Sequence, residues 1–153
     1  MSATDGHNVM PTEAEIIESA ITAIEGILSL LILERHKRDL INGMLWKITE
    51  ARGKYTTRFR STGACDAPNG AKLQHEHVFT RKDLVDEILK HPERARAIAS
   101  TAVGCTVTRA EHERLTRITR EQPHLQGWQR YEAAGVTVVD TDASSSTSRD
   151  QKI

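Results

Sequence analysis

The side chains best suited to chemistry in this sequence are three consecutive residues, His75, Glu76 and His77, and a second acid and imidazole, Glu111 and His112. Imidazole nitrogens and carboxylate oxygens bind divalent metals, and a neutral imidazole is also a base near neutral pH. The two groups are far apart in the chain. If the fold brings them together, they form one divalent-metal site.

The residues around both groups predict two strands followed by a helix. Residues 73–79 form a short strand-like segment behind a turn signal, and residues 103–107 are β-prone. Thr108 and Glu111 have the spacing of a capping box, which predicts that a helix begins there and carries His112 in its first turn.

The order of these elements is that of ββα-metal folds, with acid and imidazole on the first strand and imidazole at the start of the helix. Residues 73–78 resemble the first-histidine segment of HNH endonucleases, and residues 105–112 resemble their second strand and metal-binding helix. The resemblance covers about residues 65–116. It implies a metal-dependent endonuclease that hydrolyses phosphodiester bonds of DNA.

The resemblance also implies roles for the residues. His77 is the expected general base, and Glu76 and His112 are the expected metal ligands. Hydrolysis needs a water deprotonated near neutral pH, which suits imidazole, and a divalent cation that stabilises the charge accumulating on the phosphate. Mg²⁺ or Mn²⁺ is expected first and Zn²⁺ is an alternative, because Mg²⁺ prefers oxygen whereas imidazole favours softer ions.

The alternation of a strand places a condition on this site. Neighbouring residues of a regular strand point to opposite faces, so His75 and His77 share a face while Glu76 points away. Glu76 and His77 act together only if the strand ends or bulges between them. On a regular strand His75 is the better companion of His77, and it is therefore included among the expected metal ligands.

Two features depart from the family. No asparagine occurs from Val78 to Glu111, so the residue that would hold the base in place is absent or replaced by one such as Asp83 or Asp86. The connection between the strands is also long, because we expect two helices there, separated near Pro92.

Charge is unevenly distributed along a chain whose formal net charge is zero. Residues 1–33 carry five acids and no Lys or Arg, and residues 140–153 have a net charge of minus one, so residues 34–139 carry plus six. Basic side chains neutralise phosphates. The expected nucleic-acid contacts, with DNA as the expected partner, are Lys47, Arg52, Lys54, Arg58, Arg60 and Arg81.

Two aromatic residues, Tyr55 and Phe59, lie among these basic residues and are able to stack on unpaired bases. The alternative is a threonine-rich β-segment over residues 55–60 with alternate residues buried. Both interpretations are compatible with one another.

The N-terminal part of the chain predicts a long helix. Thr12 and Glu15 fit a capping box, and apolar residues then recur at helical spacing, so we expect a helix that runs into Leu33 or beyond. Its apolar surface either packs in the core or pairs with a second copy, giving a homodimer through residues 12–33.

Length and composition predict a single α+β domain over residues 12–141, in which a long N-terminal helix packs on a ββα-metal-like core with additional helices. A helical region is expected over 12–46, the basic segment and HNH-like core over 47–116, and a C-terminal helix and strand over 117–141. Residues 1–11 and 142–153 are expected to be disordered.

Other classes of protein do not fit the sequence. It contains no glycine-rich phosphate loop, no nucleophile elbow, no dinucleotide fingerprint, and no apolar run long enough to cross a bilayer. We therefore expect a soluble cytoplasmic protein with no membrane partner. Cys65 and Cys105 are expected to be thiols, or to bind a structural Zn²⁺ with two of His75, His77 and His112.

These features leave two hypotheses for function. The first is an HNH-like endonuclease acting on DNA. The second is a catalytically inactive nucleic-acid-binding or regulatory protein with a degenerate form of the same fold, which the absent asparagine and the balanced overall charge favour.

Overall fold

Two N-terminal helices pack against each other in the computed structural model, which describes residues 9–143. Helix α1, Glu13–Leu28, begins at the predicted capping box: the Thr12 hydroxyl accepts from the Glu15 amide and the Glu15 carboxylate accepts from the Thr12 amide. Helix α2, Glu34–Thr49, covers the apolar face of α1. The buried apolar residues of these two helices are Ala20, Ile21, Ile24, Ile41, Leu45 and Ile48.

The prediction of one helix running into Leu33 is wrong, because α1 ends at Leu28. The chain turns over the next five residues, and α2 then folds back along α1. A continuous helix would leave the apolar face around Ile24 without the partner that α2 provides, and burial of that face stabilises the fold. Leu31 in the turn is fully exposed. Pairing of two copies through residues 12–33 stays a prediction.

The remaining elements alternate between strands and helices. The strands are β1 (Phe59–Ser61), β2 (Leu73–His77), β3 (Gly104–Thr108) and β4 (Val138–Asp140). The further helices are α3 (Thr62–Asp66), α4 (Arg81–Lys90), α5 (Ala95–Ala99), α6 (Arg109–Glu121) and α7 (Trp128–Ala133), with a short 3-10 turn at Pro92–Arg94. This mixture confirms the α+β class.

The four strands form one sheet in the order β2-β3-β1-β4. β2 and β3 pair antiparallel, with His75 opposite Thr106 and His77 opposite Gly104, whereas β1 runs parallel to β3 and antiparallel to β4. Helix α6 follows β3 directly and contacts both β2 and β3. The predicted order of strand, helical connection, strand and helix is therefore present.

The buried apolar residues form two hydrophobic clusters. The first contains residues of the helices α1, α2, α4 and α5 and Ala102. The second lies between the sheet and the C-terminal helices and contains Val78, Cys105, Leu115 and Tyr131. Phe79 packs against both clusters and so joins them into a continuous interior. None of the helices within residues 9–143 is long and apolar enough to cross a bilayer.

Most of the residues predicted to be disordered, 1–8 and 144–153, lie outside the described part of the chain. The predicted boundary at residue 142 differs from the structure. Asp142 forms ion pairs with Arg52 at 2.8 Å and with Arg58 at 3.5 Å, so the packed region extends past residue 141.

The start of α6 is tied to β1 by a buried carboxylate. Glu111 Oε2 accepts hydrogen bonds from Ser61 Oγ at 2.5 Å and from the Thr108 amide at 2.8 Å. Ser61 Oγ in turn accepts from the Ala64 amide, which caps α3. Gly63 lies so close that a Cβ there would be 2.5 Å from Glu111 Oε1. These contacts fix the end of α6 that carries His112.

We predict that Ser61→Ala lowers the free energy of unfolding by about 1–3 kcal/mol, because it removes a donor to a buried carboxylate and the cap of α3. Urea unfolding measures the change. The control Ser19→Ala, at an exposed position of α1, is expected to change stability by less than about 0.5 kcal/mol. Equal stability of wild type and Ser61→Ala would contradict this account of the buried carboxylate.

Candidate functional site

Strand β2 sends its predicted site residues to opposite faces of the sheet. His75 and His77 point towards the end of α2, where both imidazoles contact Thr49. Glu76 points towards α6 and contacts His112. The strand is regular through these positions, pairing residue by residue with β3, so the alternation expected from the sequence is confirmed.

Glu76 and His112 form a direct contact although 36 positions separate them. The His112 Nδ1 atom lies 2.5 Å from Glu76 Oε2, a distance that indicates an imidazole N–H donating to the carboxylate. The Glu76 side chain is 13% exposed and that of His112 is 41% exposed, so the pair opens to solvent on the helix side. The capping box at Thr108 starts α6 in the register that places His112 over β2.

Arg130 of α7 holds the end of β2 and lies beside this pair. It is only 3% exposed. Its Nη2 donates to the carbonyls of His77 and Val78 at 2.7 Å, and its Nη1 donates to Thr119 Oγ1 at 2.8 Å. The Nη1 atom also lies 3.6 Å from Glu76 Oε1. Sequence reasoning missed this residue, because arginines of short amphipathic helices are normally exposed and nothing local marks Arg130 as buried.

On the opposite face, Thr49 links the two histidines. The His75 Nδ1 atom lies 2.8 Å from the Lys54 carbonyl oxygen and must donate to it. A neutral His75 therefore accepts at Nε2, 3.1 Å from Thr49 Oγ1, so the threonine hydroxyl is the donor there. When the hydroxyl donates to His75, Thr49 Oγ1 accepts from His77 Nε2 at 2.9 Å, and His77 Nδ1 is then the unprotonated nitrogen.

The Thr49 hydroxyl has two alternative acceptors, the Trp46 carbonyl at 3.1 Å and His77 Nε2 at 2.9 Å, so the direction of its proton is coupled to the tautomers of the histidines. Gly104 makes room for this arrangement, because a Cβ there would lie 2.7 Å from His75 Cε1 and from the Thr49 carbonyl. Thr49 thus contacts the His77 ring from a different part of the chain.

Trp46 and Arg81 cover the histidines. The Trp46 ring lies 4.8 Å from the His77 ring, and the Arg81 guanidinium lies 4.6 Å from the Trp46 ring. Burial lowers the pKa of His77 to about 3, with further contributions from His75 and from the cations Arg81 and Arg130. Burial also lowers the pKa of His75. Both imidazoles are therefore neutral at neutral pH.

The structure thus divides the four predicted site residues into two pairs, Glu76 with His112 and His75 with His77. Within residues 9–143 no group of three His, Cys, Asp or Glu side chains is arranged to hold a metal ion. The alternative of a structural Zn²⁺ held by cysteines therefore has no counterpart in that part of the chain. Cys65 is exposed, while Cys105 lies in the core, where burial raises its pKa to about 12.

The six predicted phosphate contacts differ in their surroundings. Arg52 pairs with Glu13 and Asp142, and Arg58 pairs with Asp140, so acids already neutralise these two. The others make weaker or uncharged contacts: Lys47 lies 3.6 Å from Glu50, Lys54 lies over the Tyr55 ring, Arg60 donates to the Tyr55 carbonyl, and Arg81 covers Trp46. Strand β1 begins only at Phe59, so the predicted β-segment from Tyr55 is shorter than expected.

The low pKa of His77 predicts a pH dependence of stability. The folded-state pKa lies below the unfolded value of about 6.5, so the unfolded chain takes up the proton first. The stabilisation from the neutral ring is complete above about pH 6.5. It is lost as the pH falls from there towards 3, at roughly 1.4 kcal/mol per pH unit. Urea unfolding between about pH 4.5 and 6.5 measures this slope.

We expect His77→Gln to flatten that slope, because glutamine does not titrate. His36→Gln, at an exposed histidine of α2, is the matched control and should keep the wild-type slope. A His77→Gln protein with the wild-type slope would show that His77 does not titrate in this way.

The site consists of an acid and imidazole pair on one face of β2, two neutral imidazoles on the other, and a buried arginine at the end of the strand. Comparisons with protein-family models, with curated proteins and with solved structures found no match to this chain. The resemblance to HNH endonucleases therefore rests on the residues of this chain, and its function must be inferred from their geometry.

Proposed function

We propose that this protein is a metal-dependent nuclease that hydrolyses phosphodiester bonds of DNA, with Glu76 and His112 as the protein ligands of a divalent cation. The observation that supports it most directly is that the Glu76 carboxylate and the His112 imidazole lie side by side, 2.5 Å apart; a cation would bind there in exchange for the proton that His112 Nδ1 donates to the carboxylate. A strand and a helix distant in the chain bring these two donors together on a surface that opens to solvent.

The donor set fits a divalent ion. One carboxylate oxygen and one imidazole nitrogen suit Mn²⁺ or Zn²⁺, and Mg²⁺ is also held by few protein ligands when phosphate and water supply the rest. When bound, such an ion stabilises negative charge on a phosphate and lowers the pKa of a coordinated water. Because this chain offers only two ligands at this place, we expect metal affinity to rise when DNA binds.

Arg130 has a positioning role in this proposal. Its hydrogen bonds to the His77 and Val78 carbonyls hold the end of β2, and its Nη1 atom faces Glu76 Oε1 at 3.6 Å. A rigid strand end keeps the Glu76 carboxylate aimed at α6, and a preorganised ligand pair avoids reorganisation when the substrate binds.

The role of His77 is independent of the role of Glu76 and His112 as metal ligands. The HNH resemblance makes this residue the general base, and its ring is neutral, but a pKa of about 3 makes it a weak base at neutral pH. However, its imidazole lies on the face of β2 opposite to Glu76 and His112. His77 can act on a water at that pair only if the strand end opens, so the proposal assigns activation of the water to the cation.

A second candidate function is nucleic-acid binding without hydrolysis. The division of the predicted site between two faces of β2 favours it. Under this alternative, Glu76 and His112 are a structural ion pair that fastens α6 to the sheet, and His77 packs beneath Trp46. The two functions differ in whether loss of the acid or imidazole abolishes cleavage or only lowers stability.

We predict that supercoiled plasmid DNA is nicked in the presence of Mn²⁺ or Mg²⁺, and that Glu76→Gln and His112→Ala each slow nicking by on the order of 100-fold, because each removes a metal ligand. Agarose electrophoresis over time measures the rate. The matched controls are Glu113→Gln and His124→Ala, which alter an exposed acid and an exposed imidazole elsewhere. Chelation by EDTA is expected to stop the reaction.

The nicking rate of His77→Ala decides whether His77 acts as the general base. A rate near that of wild type agrees with activation of the water by the cation, whereas a loss as large as that of His112→Ala would show that His77 is the base. DNA binding without nicking under any of the metals, or equal nicking by wild type and both ligand variants, contradicts the nuclease. Cleavage of RNA but not DNA would reassign the substrate.

The exposed lysines of the basic segment predict a salt dependence. Lys47 and Lys54 are exposed; Lys47 lies 3.6 Å from Glu50, and Lys54 lies over the Tyr55 ring. We expect Lys47→Ala with Lys54→Ala to weaken binding to any DNA sequence and to reduce the slope of log K against log salt by about 1 per lysine. Fluorescence anisotropy measures it, with Lys72→Ala and Lys90→Ala as the control pair. An unchanged slope would place the DNA elsewhere on the surface.

A further inference from the structure

A cavity of about 250 Å³ lies between the start of α4 and the loop that joins α6 to α7. We call it the α4–α7 cavity. It is partly enclosed and is lined by both apolar and polar groups. Among the residues that line it are Phe79, Asp83, Gln126, Gly127 and Arg130.

One wall of the cavity is an aromatic ring held close to backbone. A Cβ at Gly127 would lie 2.6 Å from Phe79 Cε1, and Gly127 has a φ of +56°, so glycine allows the loop to approach the ring. Pro123 and Leu125 add apolar surface. An aromatic ring and apolar side chains on the wall of a cavity favour a ligand with an aromatic ring system over a compact, strongly hydrated ion.

The polar groups of the cavity can form directional hydrogen bonds. Asp83 contributes a carboxylate and Gln126 contributes an amide with both donors and an acceptor. Arg130 lines the cavity too, and its Nε atom is buried with no hydrogen-bond partner among the described residues. A buried donor without an acceptor costs free energy, and this one lies in a side chain that lines the cavity.

The cavity adjoins the proposed metal ligands through Arg130. The same guanidinium that lines the cavity lies 3.6 Å from Glu76 Oε1, and Thr119, which accepts from Arg130, is also a lining residue. A group held in the cavity is therefore one arginine side chain away from the Glu76 and His112 pair.

We propose that the α4–α7 cavity holds one unpaired nucleobase of the nucleic acid; the identity of that ligand rests on the function proposed above. The volume is below the roughly 300 Å³ of ordinary small-molecule pockets, so it suits a single ring system and excludes a whole dinucleotide. Phe79 stacks against the base, and the Asp83 carboxylate accepts from its exocyclic amino or ring N–H group. Enzymes that take a base out of the stack bind it by these two kinds of contact.

The charge of the cavity distinguishes a base from a phosphate. The Asp83 carboxylate lies in the lining, and Lys82 is paired with Asp86 at 2.9 Å. The wall thus holds an acid that repels a phosphate and apolar surface that a phosphate cannot use. The Nη2 atom of the buried cation Arg130 donates to two protein carbonyls, so it is not available to a phosphate.

A titration tests this proposal. The full-length, metal-free protein is titrated with each of the four deoxynucleosides, which carry no phosphate. Chemical shifts of the backbone amides report both affinity and place. We expect at least one nucleoside to bind with a Kd of about 1 mM or tighter and to shift the amides of residues 79–83 and 125–127. Asp83→Asn and Gln126→Ala should each weaken binding by about tenfold or more.

The control Asp66→Asn, at an exposed acid outside the cavity, should bind as wild type does. The proposal is overturned if no nucleoside saturates, if inorganic phosphate shifts the same amides with equal affinity, or if both cavity variants bind as wild type does. This experiment measures binding and not cleavage, so its result is independent of the nuclease assay. If nucleosides bind but the protein does not nick DNA, the cavity is a base-binding site and the nuclease proposal is rejected.

Discussion

The buried guanidinium of Arg130 is the interaction on which the arrangement of the site depends. It joins three elements at one point, because it belongs to α7, donates to Thr119 of α6, and donates to the carbonyls of His77 and Val78 at the end of β2. A buried cation is costly unless hydrogen bonds and an opposing charge compensate it. Here the carbonyls supply the hydrogen bonds, and Glu76 supplies the nearest negative charge at 3.6 Å. The position of Glu76 is therefore tied to the packing of the C-terminal helices.

The second constraint is the regular alternation of β2. Because the strand pairs with β3 through all five of its residues, it has no bulge that would turn Glu76 and His77 to the same side. One face consequently presents Glu76 to His112 in the first turn of α6, and the other presents His75 and His77 to Thr49 at the end of α2. The polar side chains on each face of β2 form hydrogen bonds with residues on that same face. The acid and imidazole pair is open to solvent, whereas the two histidines are largely covered by Trp46 and Arg81.

The local elements of the fold were largely predictable. The capping boxes at Thr12 and Thr108 mark the starts of α1 and α6, and the break at Pro92 separates the two helices between β2 and β3. These signals act over three or four residues, so they do not depend on the rest of the chain. The end of α1 was not predictable in the same way. Apolar residues continue to Leu33, and only the return of α2 along α1 ends the helix at Leu28.

The sequence by itself determined the α+β class, the alternation of His75, Glu76 and His77, and the place of His112 at the start of a helix. Each of these follows from periodicity and short-range hydrogen bonding, which neighbouring residues decide. Only the tertiary structure decided that Glu76 meets His112 rather than His77, that Thr49 links the histidines, and that Arg130 is buried. The contacts of Thr49 with His75, of Glu76 with His112 and of Arg130 with the His77 carbonyl join residues 26, 36 and 53 positions apart, and no local pattern specifies them. They depend on which surfaces pack together when the helices close over the sheet.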